Sequence, residues 1–288
     1  MATPVLSIVV VNWNTQDLLR RCLQTVIEQT RVSHEVWVVD NGSSDGSPEM
    51  LRREFPQVHL IANPDNRGFA AANNQALRLA SGEYLLLLNS DTEVLDGALD
   101  AMVAFMHSHP AVGALGPRLL NADGSLQPSA HGFYGTARSL LENRLVASLW
   151  PWRSGRARLL TFFDHSVARP VDWVCGAALM IRRSTLQRVG LLDEAFFMYG
   201  EEVDWQWRMR AAGLSVWFSP IARILHLGGG SSRGRVTTMR QLEIDNRLRF
   251  LAKHYPPMSL RLYQAKAWLG RSCWQALGRL QGQPVTCR

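Results

Sequence analysis

Three clusters of side chains in this 288-residue sequence carry the residue types that chemistry needs. The first is Asn89-Ser90-Asp91-Thr92-Glu93, delivered by the apolar run Tyr84-Leu-Leu-Leu-Leu. A hard divalent cation such as Mg2+ or Mn2+ takes oxygen ligands, and is held by one or two carboxylates plus substrate phosphates. Asp91, with Asn89 and Glu93 nearby, supplies that donor set; the plainer alternative is that Asp91 or Thr92 caps a following helix. The second cluster is Glu201, Glu202 and Asp204, placed after Phe196-Phe-Met-Tyr and Gly200. One of these acids can serve as a general base if its pKa suits the task. The alternative is that they stabilise a helix's first turn, with Asp204 and Arg208 as an i,i+4 pair. The third is His226, followed by Leu-Gly-Gly-Gly-Ser-Ser and then Arg233 and Arg235. Glycines and hydroxyls there suit close backbone approach to phosphates. Gly-Lys-Ser/Thr is missing, so this is not a P-loop.

These groups need elements that bring them together. Leu6–Val11 is a continuous apolar run, as expected of a strand buried on both faces. Thr15–Gln29 reads as a helix whose stripe is Leu18, Leu19, Cys22, Leu23 and Val26. Glu35–Val39 is a second strand ending at Asp40, and Asn41-Gly-Ser-Ser-Asp-Gly a turn into a short helix capped by Asp45 or Ser47. Val58–Ala62, a helix over Gly68–Ala80 and the strand Tyr84–Leu88 follow. Strands joined by single helices predict right-handed βαβ units and a parallel sheet. Ligands of such sheets bind beyond the carboxyl ends of the strands. Asn12, Asp40 and Asp91 each lie just past such an end, so the three are expected to share one rim. Gly-x-Gly-x-x-Gly is absent after the first strand, which argues against a dinucleotide-binding domain.

Residues 121 to 170 are less regular and read as loops and short helices over the sheet. Regularity returns at Val171–Ile181, at a helix from Glu201 to Ala212, at a strand Leu214–Phe218 and at a helix Leu242–His254 stopped by Pro256-Pro257. The tail beyond is basic and amphipathic.

In this order, SIVVVNWN (7–14), VVDNGSSDGS (38–47), NRGFAAANNQAL (66–77), YLLLLNSDTEV (84–94), WVCGAALMIRR (173–183), LLDEAFFMYGEEVDWQWRMRAAG (191–213) and HLGGGSS (226–232) resemble the family 2 glycosyltransferases of GT-A fold, especially their rhamnosyltransferase-like branch. The resemblance implies an α/β GT-A domain over residues 1–255, with a mostly parallel central sheet flanked by helices, and leaves the tail 256–288 outside. It implies an inverting transfer of a sugar from a nucleotide-diphosphate donor, dTDP-rhamnose or a UDP-sugar, to a hydroxyl of a glycan or lipid-linked acceptor. Asp40 and Arg67 would meet the nucleobase, and Asn12, Asn14, Asn89, Ser90 and Arg233 the rest of the donor. Asp91 would bind Mg2+ or Mn2+, with His226 assisting. Glu202 holds the position of the base in the family's Glu-Asp-x-Asp segment, flanked by Glu201 and Asp204. Trp173, Trp205 and the Cys175-Gly-Ala turn are candidate sugar or acceptor contacts. The family's Asp-x-Asp has Asn89 in its first position here, and Glu202 stands where Asp is usual.

Composition bounds the remaining possibilities. Hydrophobic residues make up 47% and charged residues 19%, ordinary for a globular enzyme. The four cysteines, Cys22, Cys175, Cys273 and Cys287, show no C-x-x-C spacing, which argues against a structural zinc site or a redox pair. No basic leader and no apolar stretch of about 18 residues is evident; a cytoplasmic setting is expected. Residues 1–204 hold 17 Lys+Arg against 22 Asp+Glu, and residues 205–288 hold 14 against 2. So basic an end suggests an anionic partner. With Leu260, Tyr263, Trp268 and Trp274 among Arg261, Lys266 and Arg271, the tail is expected to touch a membrane surface or a partner. Two rivals fare worse. A nucleotidyltransferase should carry a Gly-rich, Arg/Lys-bearing loop where Asn12-Trp-Asn-Thr stands. A nucleic-acid or other anion-binding protein would leave the acid cluster unused, and no nucleic-acid motif is present.

Overall fold

The run Leu6-Ser-Ile-Val-Val-Val-Asn forms strand β1 (Leu6–Asn12), whose Leu6, Ile8, Val9 and Val10 are fully buried. An apolar run without alternation fits a strand covered on both faces. β2 (His34–Asn41), β3 (His59–Asn63) and β4 (Tyr84–Asn89) join it in parallel, in the order β3-β2-β1-β4. This is a computed structural model, and it describes residues 3–134, 165–228 and 236–258, together with 260, 261 and 263.

The connecting helices are α1 (Gln16–Gln29), α2 (Ser47–Glu54) and α3 (Phe69–Leu79). Leu19, Cys22, Leu23 and Val26 of α1 pack with Met50 and Leu51 of α2 against Ile8, Val10, Val38 and Leu86 on one face of the sheet. On the other face, Ala70, Ala72, Ala76 and Leu77 of α3 meet Val9, Val39, Leu85 and Leu87. Each fully buried Leu or Val contributes roughly 1.5–3 kcal/mol. Neither Asp45 nor Ser47 holds the N-cap of α2, which is Gly46. Asp45 stands just before it, its Oδ1 accepting from Ser47 N–H and its Oδ2 from Gln16 N–H, so one carboxylate ties the starts of two helices.

After β4 come β5 (Thr92–Leu95), α4 (Ala98–Ser108), β6 (Val112–Leu120), β7 (Leu126–Gln127), β8 (Ala130–His131), β9 (Arg169–Val171), β10 (Trp173–Val174), β11 (Ala178–Arg182), α5 (Arg183–Val189), α6 (Glu201–Ala211), β12 (Ser215–His226) and α7 (Val236–His254). The sheet continues β4-β11-β6-β12-β5, with β7 on β6, β9 on β12, and β8 paired separately with β10. Its longest ladders, β1–β2 and β6–β12, are parallel; β11 runs antiparallel to both β4 and β6. The sheet is mixed, with helices packed on both of its faces.

Beyond β4 the fold departs from the sequence reading at four places. Thr92 opens a strand, so neither it nor Asp91 caps a helix. Val171–Ile181 divides into parts of β9, β10 and β11. The strand expected to stop at Phe218 runs to His226 instead, because a register shift between Ser219 and Arg223 absorbs Pro220. Proline cannot donate to a ladder and is tolerated at such bulges. Beyond the bulge, Arg223–His226 pair antiparallel with β5, setting His226 opposite Thr92. Helix α7 starts earlier than expected and packs Phe250 among Phe133, Trp173, Phe196 and Val203. Most of the basic tail lies outside the described residues.

Candidate active site

The ends of β1, β2 and β4 do form one rim, built in two layers. Successive residues of a strand point to opposite faces. Asn12 and Asp40 are register partners, and Asn12 Nδ2 donates to Asp40 Oδ1 at 2.8 Å. Ser43 N–H donates to Asp40 Oδ2 at 2.9 Å, so both oxygens of this 1%-exposed carboxylate are engaged. Thr15 donates to Asn12 Oδ1 at 2.6 Å and shares a hydrogen bond with Ser90 Oγ at 2.9 Å, linking the rim to the Asp91 turn. Asn14, at φ 52°, receives Ser44 N–H on Oδ1 at 2.8 Å. These four groups form the supporting layer. The neighbours that alternation turns the other way, Val11, Trp13 and Asn41, line a cavity of about 200 Å3.

Asp91 and His226 meet on the wall of that cavity, with His226 Nε2 3.3 Å from Asp91 Oδ1. Two backbone links bring them there: the β5–β12 ladder, and Leu227 N–H donating to Asp91 O at 2.9 Å. Asn89 Nδ2 stands 3.3 Å from the same ring nitrogen, while His226 Nδ1 is 2.6 Å from Gln127 Oε1. A carboxylate oxygen and an imidazole nitrogen at this separation are a donor set that fits a divalent cation with positions left over for phosphate.

The acids of α6 separate. Glu201 and Glu202 line the cavity; Asp204 does not. Gly200 N–H donates to Glu202 Oε2 at 3.0 Å and orients it, and burial lifts this carboxyl above the usual glutamate range. Glu201 is 3% exposed, and its Oε2 has no hydrogen-bond partner among the described residues. Burial first, and the charge of Glu202 second, push its carboxyl well above the ordinary value. Asp204, 0% exposed, is held by Arg208 Nε at 2.9 Å and by Lys253 Nζ and His254 Nε2, each at 2.7 Å. Two of these three partners come from α7, so Asp204 joins two helices.

Other expected contacts also fall into place or away. The turn Cys175-Gly176-Ala177 lines the cavity, and its Ala177 carbonyl accepts Asn89 N–H at 2.9 Å. Trp205 is fully buried in the core, its Nε1 donating to Gly190 O at 2.8 Å, and Trp173 stacks on His131. Neither tryptophan lines the cavity. Arg67 is half-exposed beside Asp65, while its neighbours Asn66 and Phe69 line the wall. Arg233 lies outside the described residues. Gly68 is required where it stands: at φ +86°, a Cβ would sit 2.6 Å from Phe197 O, the acceptor of Phe69 N–H. That contact fastens the loop before α6 to α3 and sets Tyr199, at φ 69°, on the cavity wall.

Comparison with known proteins adds identity to this geometry. Residues 7–189 match the sequence profile described as glycosyl transferase family 2. Over 235 residues the chain is 31% identical to N-acetylglucosaminyl-diphospho-decaprenol L-rhamnosyltransferase of Mycobacterium tuberculosis, covering 78% of this chain and 76% of that protein. It is 32% identical over 245 residues to the O-antigen biosynthesis protein RfbC of Myxococcus xanthus, covering 80% of this chain and 18% of that one. Among solved structures, GalNAc-T7 with UDP, GalNAc and Mn2+ superposes with TM-score 0.61 at 19% identity, over 87% of this chain and 48% of that chain. Mannosyltransferase PcManGT from Pyrobaculum calidifontis, with GDP-Man and Mn2+, gives 0.59 at 19% identity, over 93% and 70%. The chain belongs to glycosyl transferase family 2: it is a rhamnosyltransferase-like glycosyltransferase of GT-A fold.

Proposed function

We propose that the enzyme transfers a sugar, with inversion, from a nucleotide-diphosphate donor to a hydroxyl of a glycan or lipid-linked acceptor. The observation that carries this reading is that the Asp91–His226 pair lines one cavity together with Glu201 and Glu202. The name of the mycobacterial relative favours dTDP-rhamnose as donor and a lipid-linked diphosphosugar as acceptor; a UDP-sugar is the second choice.

Asp91 and His226 would hold Mg2+ or Mn2+, which when bound neutralises charge on the departing diphosphate. The two structural neighbours, each holding Mn2+ with a nucleotide or nucleotide sugar, support that choice. Asn12, Asn14 and Asp40 hold the 41–46 loop through Ser43 and Ser44. Asn66, whose Oδ1 is held by Asn41 Nδ2 and Gly68 N–H, would turn its amide N–H groups to the donor. Glu202, fixed by Gly200 N–H, accepts the proton of the acceptor hydroxyl. The acceptor oxygen bonds to the anomeric carbon as the bond from that carbon to the diphosphate breaks.

A panel of nucleotide sugars offered with a polyprenyl-diphospho-sugar acceptor, with and without Mn2+, tests the reading. Metal-dependent transfer from dTDP-rhamnose, with inverted anomeric configuration by NMR, is expected. Failure to turn over any nucleotide sugar, or retention of configuration, overturns it.

A further inference from the structure

Gln127 lies beyond the cavity wall, on the two-residue strand β7, and sugar-transfer chemistry does not reach it. Its amide is nevertheless fixed at both ends. Nε2 donates to Asn121 Oδ1 at 3.0 Å and to His226 O at 3.3 Å, which leaves Oε1 as the atom 2.6 Å from His226 Nδ1. An amide oxygen only accepts, so His226 Nδ1 must carry the proton. In a neutral imidazole the other nitrogen then presents a lone pair. On the far side of the ring Nε2 has both Asn89 Nδ2, which only donates, and Asp91 Oδ1, which only accepts, each at 3.3 Å, so it is the Gln127 side that fixes the tautomer of the neutral ring.

The chain of constraints continues outward. Asn121 Nδ2 donates to Ser125 Oγ at 2.9 Å, so Asn121 Oδ1 is the oxygen left to receive Gln127. The turn itself is closed by Asn121 N–H donating to Ser125 O at 2.8 Å. A surface turn thus sets the proton position of a ring on the cavity wall.

The geometry points to Gln127 as a positioning residue that locks His226 in its Nδ1–H tautomer and aims an Nε2 lone pair past Asp91 for a divalent cation. The cation half of this inference rests on the proposed function; the tautomer half stands without it. Histidines that ligate metals commonly donate their other N–H to a fixed acceptor, and losing that acceptor typically costs 10–100-fold in affinity.

The test has two readouts. In metal-free protein with 15N-labelled histidine at pH 8, the ring correlations of His226 should report Nδ1–H in the wild type. They should shift toward Nε2–H in Gln127→Met and stay at Nδ1–H in Gln127→Glu, which keeps an acceptor. Mn2+ affinity, measured by electron paramagnetic resonance with dTDP present, should fall roughly 10-fold or more in Gln127→Met and be largely retained in Gln127→Glu. An Nε2–H wild type, or Nδ1–H persisting in Gln127→Met, overturns the inference. Equal loss of Mn2+ in both variants overturns it too, since that marks a packing role. Absence of Mn2+ binding in the wild type counts against the cation reading instead, and the metal-free spectra still decide the tautomer.

Discussion

His254 Nε2 lies 2.7 Å from Oδ1 of the fully buried Asp204, a contact that fastens α7 to α6. Lys253 and Arg208 complete the arrangement around the same carboxylate. Removing the acid leaves three cationic or protonatable groups without their counterion, whereas removing any one of them leaves two behind. Asp204→Asn should therefore cost about 3 kcal/mol in chemical denaturation. That is the low end for a broken buried pair, because Arg208 and Lys253 keep part of their hydration. Donor binding measured below the melting transition should stay near wild type. Normal stability combined with lost turnover would instead give Asp204 a catalytic role.

The two acids that do face the cavity differ in what they should do when neutralised. Glu202→Gln removes the proposed base, and kcat should fall by roughly 10²–10⁴ with donor binding preserved. Because burial raises the Glu202 carboxyl above its ordinary value of 4.5, the acid limb of the wild-type rate profile should lie above that value. A limb unshifted from the ordinary glutamate range, or near-normal turnover in Glu202→Gln, assigns the proton to another group.

Glu201 carries a stability signature. A carboxyl whose folded-state pKa is raised contributes stability below its unfolded value, and loses it as pH rises through the folded value. For Glu201 that window opens near 4.5 and extends upward. Glu201→Gln removes the charge that burial penalises, so its melting temperature should exceed the wild type's at pH 8. The advantage should shrink toward pH 4.5. A difference independent of pH would mean that Glu201 titrates normally in the folded protein.

What the sequence made legible was whatever depends on local pattern. Apolar runs identified β1 and β4, and turn residues after them located Asn12, Asp40 and Asp91 on one edge. Alternation along the strands turns Asn12 and Asp40 beneath the wall on which the sequence places them, and Trp13 and Asn41 occupy it instead. The meeting of His226 with Asp91 depends on a strand crossing Pro220 by a bulge, which the usual meaning of Ser-Pro hides. Gln127 sits on a strand of two residues, too short for any periodicity. Trp205 and Asp204 carry the residue types of a site, yet long-range packing against β11 and α7 turns both inward.

Gly176 offers a test of cavity shape without loss of fold. A Cβ there would lie 3.4 Å from Glu202 Cβ and 3.5 Å from its Cγ, ordinary contact distances, with no strained backbone angle. Gly176→Ala should fold normally but insert a methyl between the 175–177 turn and the proposed base. Because these are ordinary contacts the base need not shift, so kcat should fall by much less than the roughly 10²-fold that an ångström-scale displacement costs, with little change in melting temperature. Gly68→Ala is the contrasting control, since its Cβ meets Phe197 O at 2.6 Å under φ +86°. There stability itself should fall, by more than about 1 kcal/mol. Equal effects of the two substitutions on stability would contradict the placement of Gly176 on the wall.

Asp91 and His226 should respond differently to metal. If Asp91 supplies the anionic ligand and His226 a neutral one, Asp91→Asn removes charge attraction as well as a donor atom. Its Mn2+ binding should be undetectable by calorimetry, and added metal should not restore transfer. His226→Ala removes one donor and leaves the carboxylate, so raising Mn2+ into the millimolar range should recover part of the activity. In both variants the β5–β12 ladder and the Leu227-to-Asp91 backbone bond remain, because they use main-chain atoms, and melting temperatures should change little. Wild-type transfer that survives exhaustive chelation would assign diphosphate stabilisation to the protein alone and remove the cation from this site.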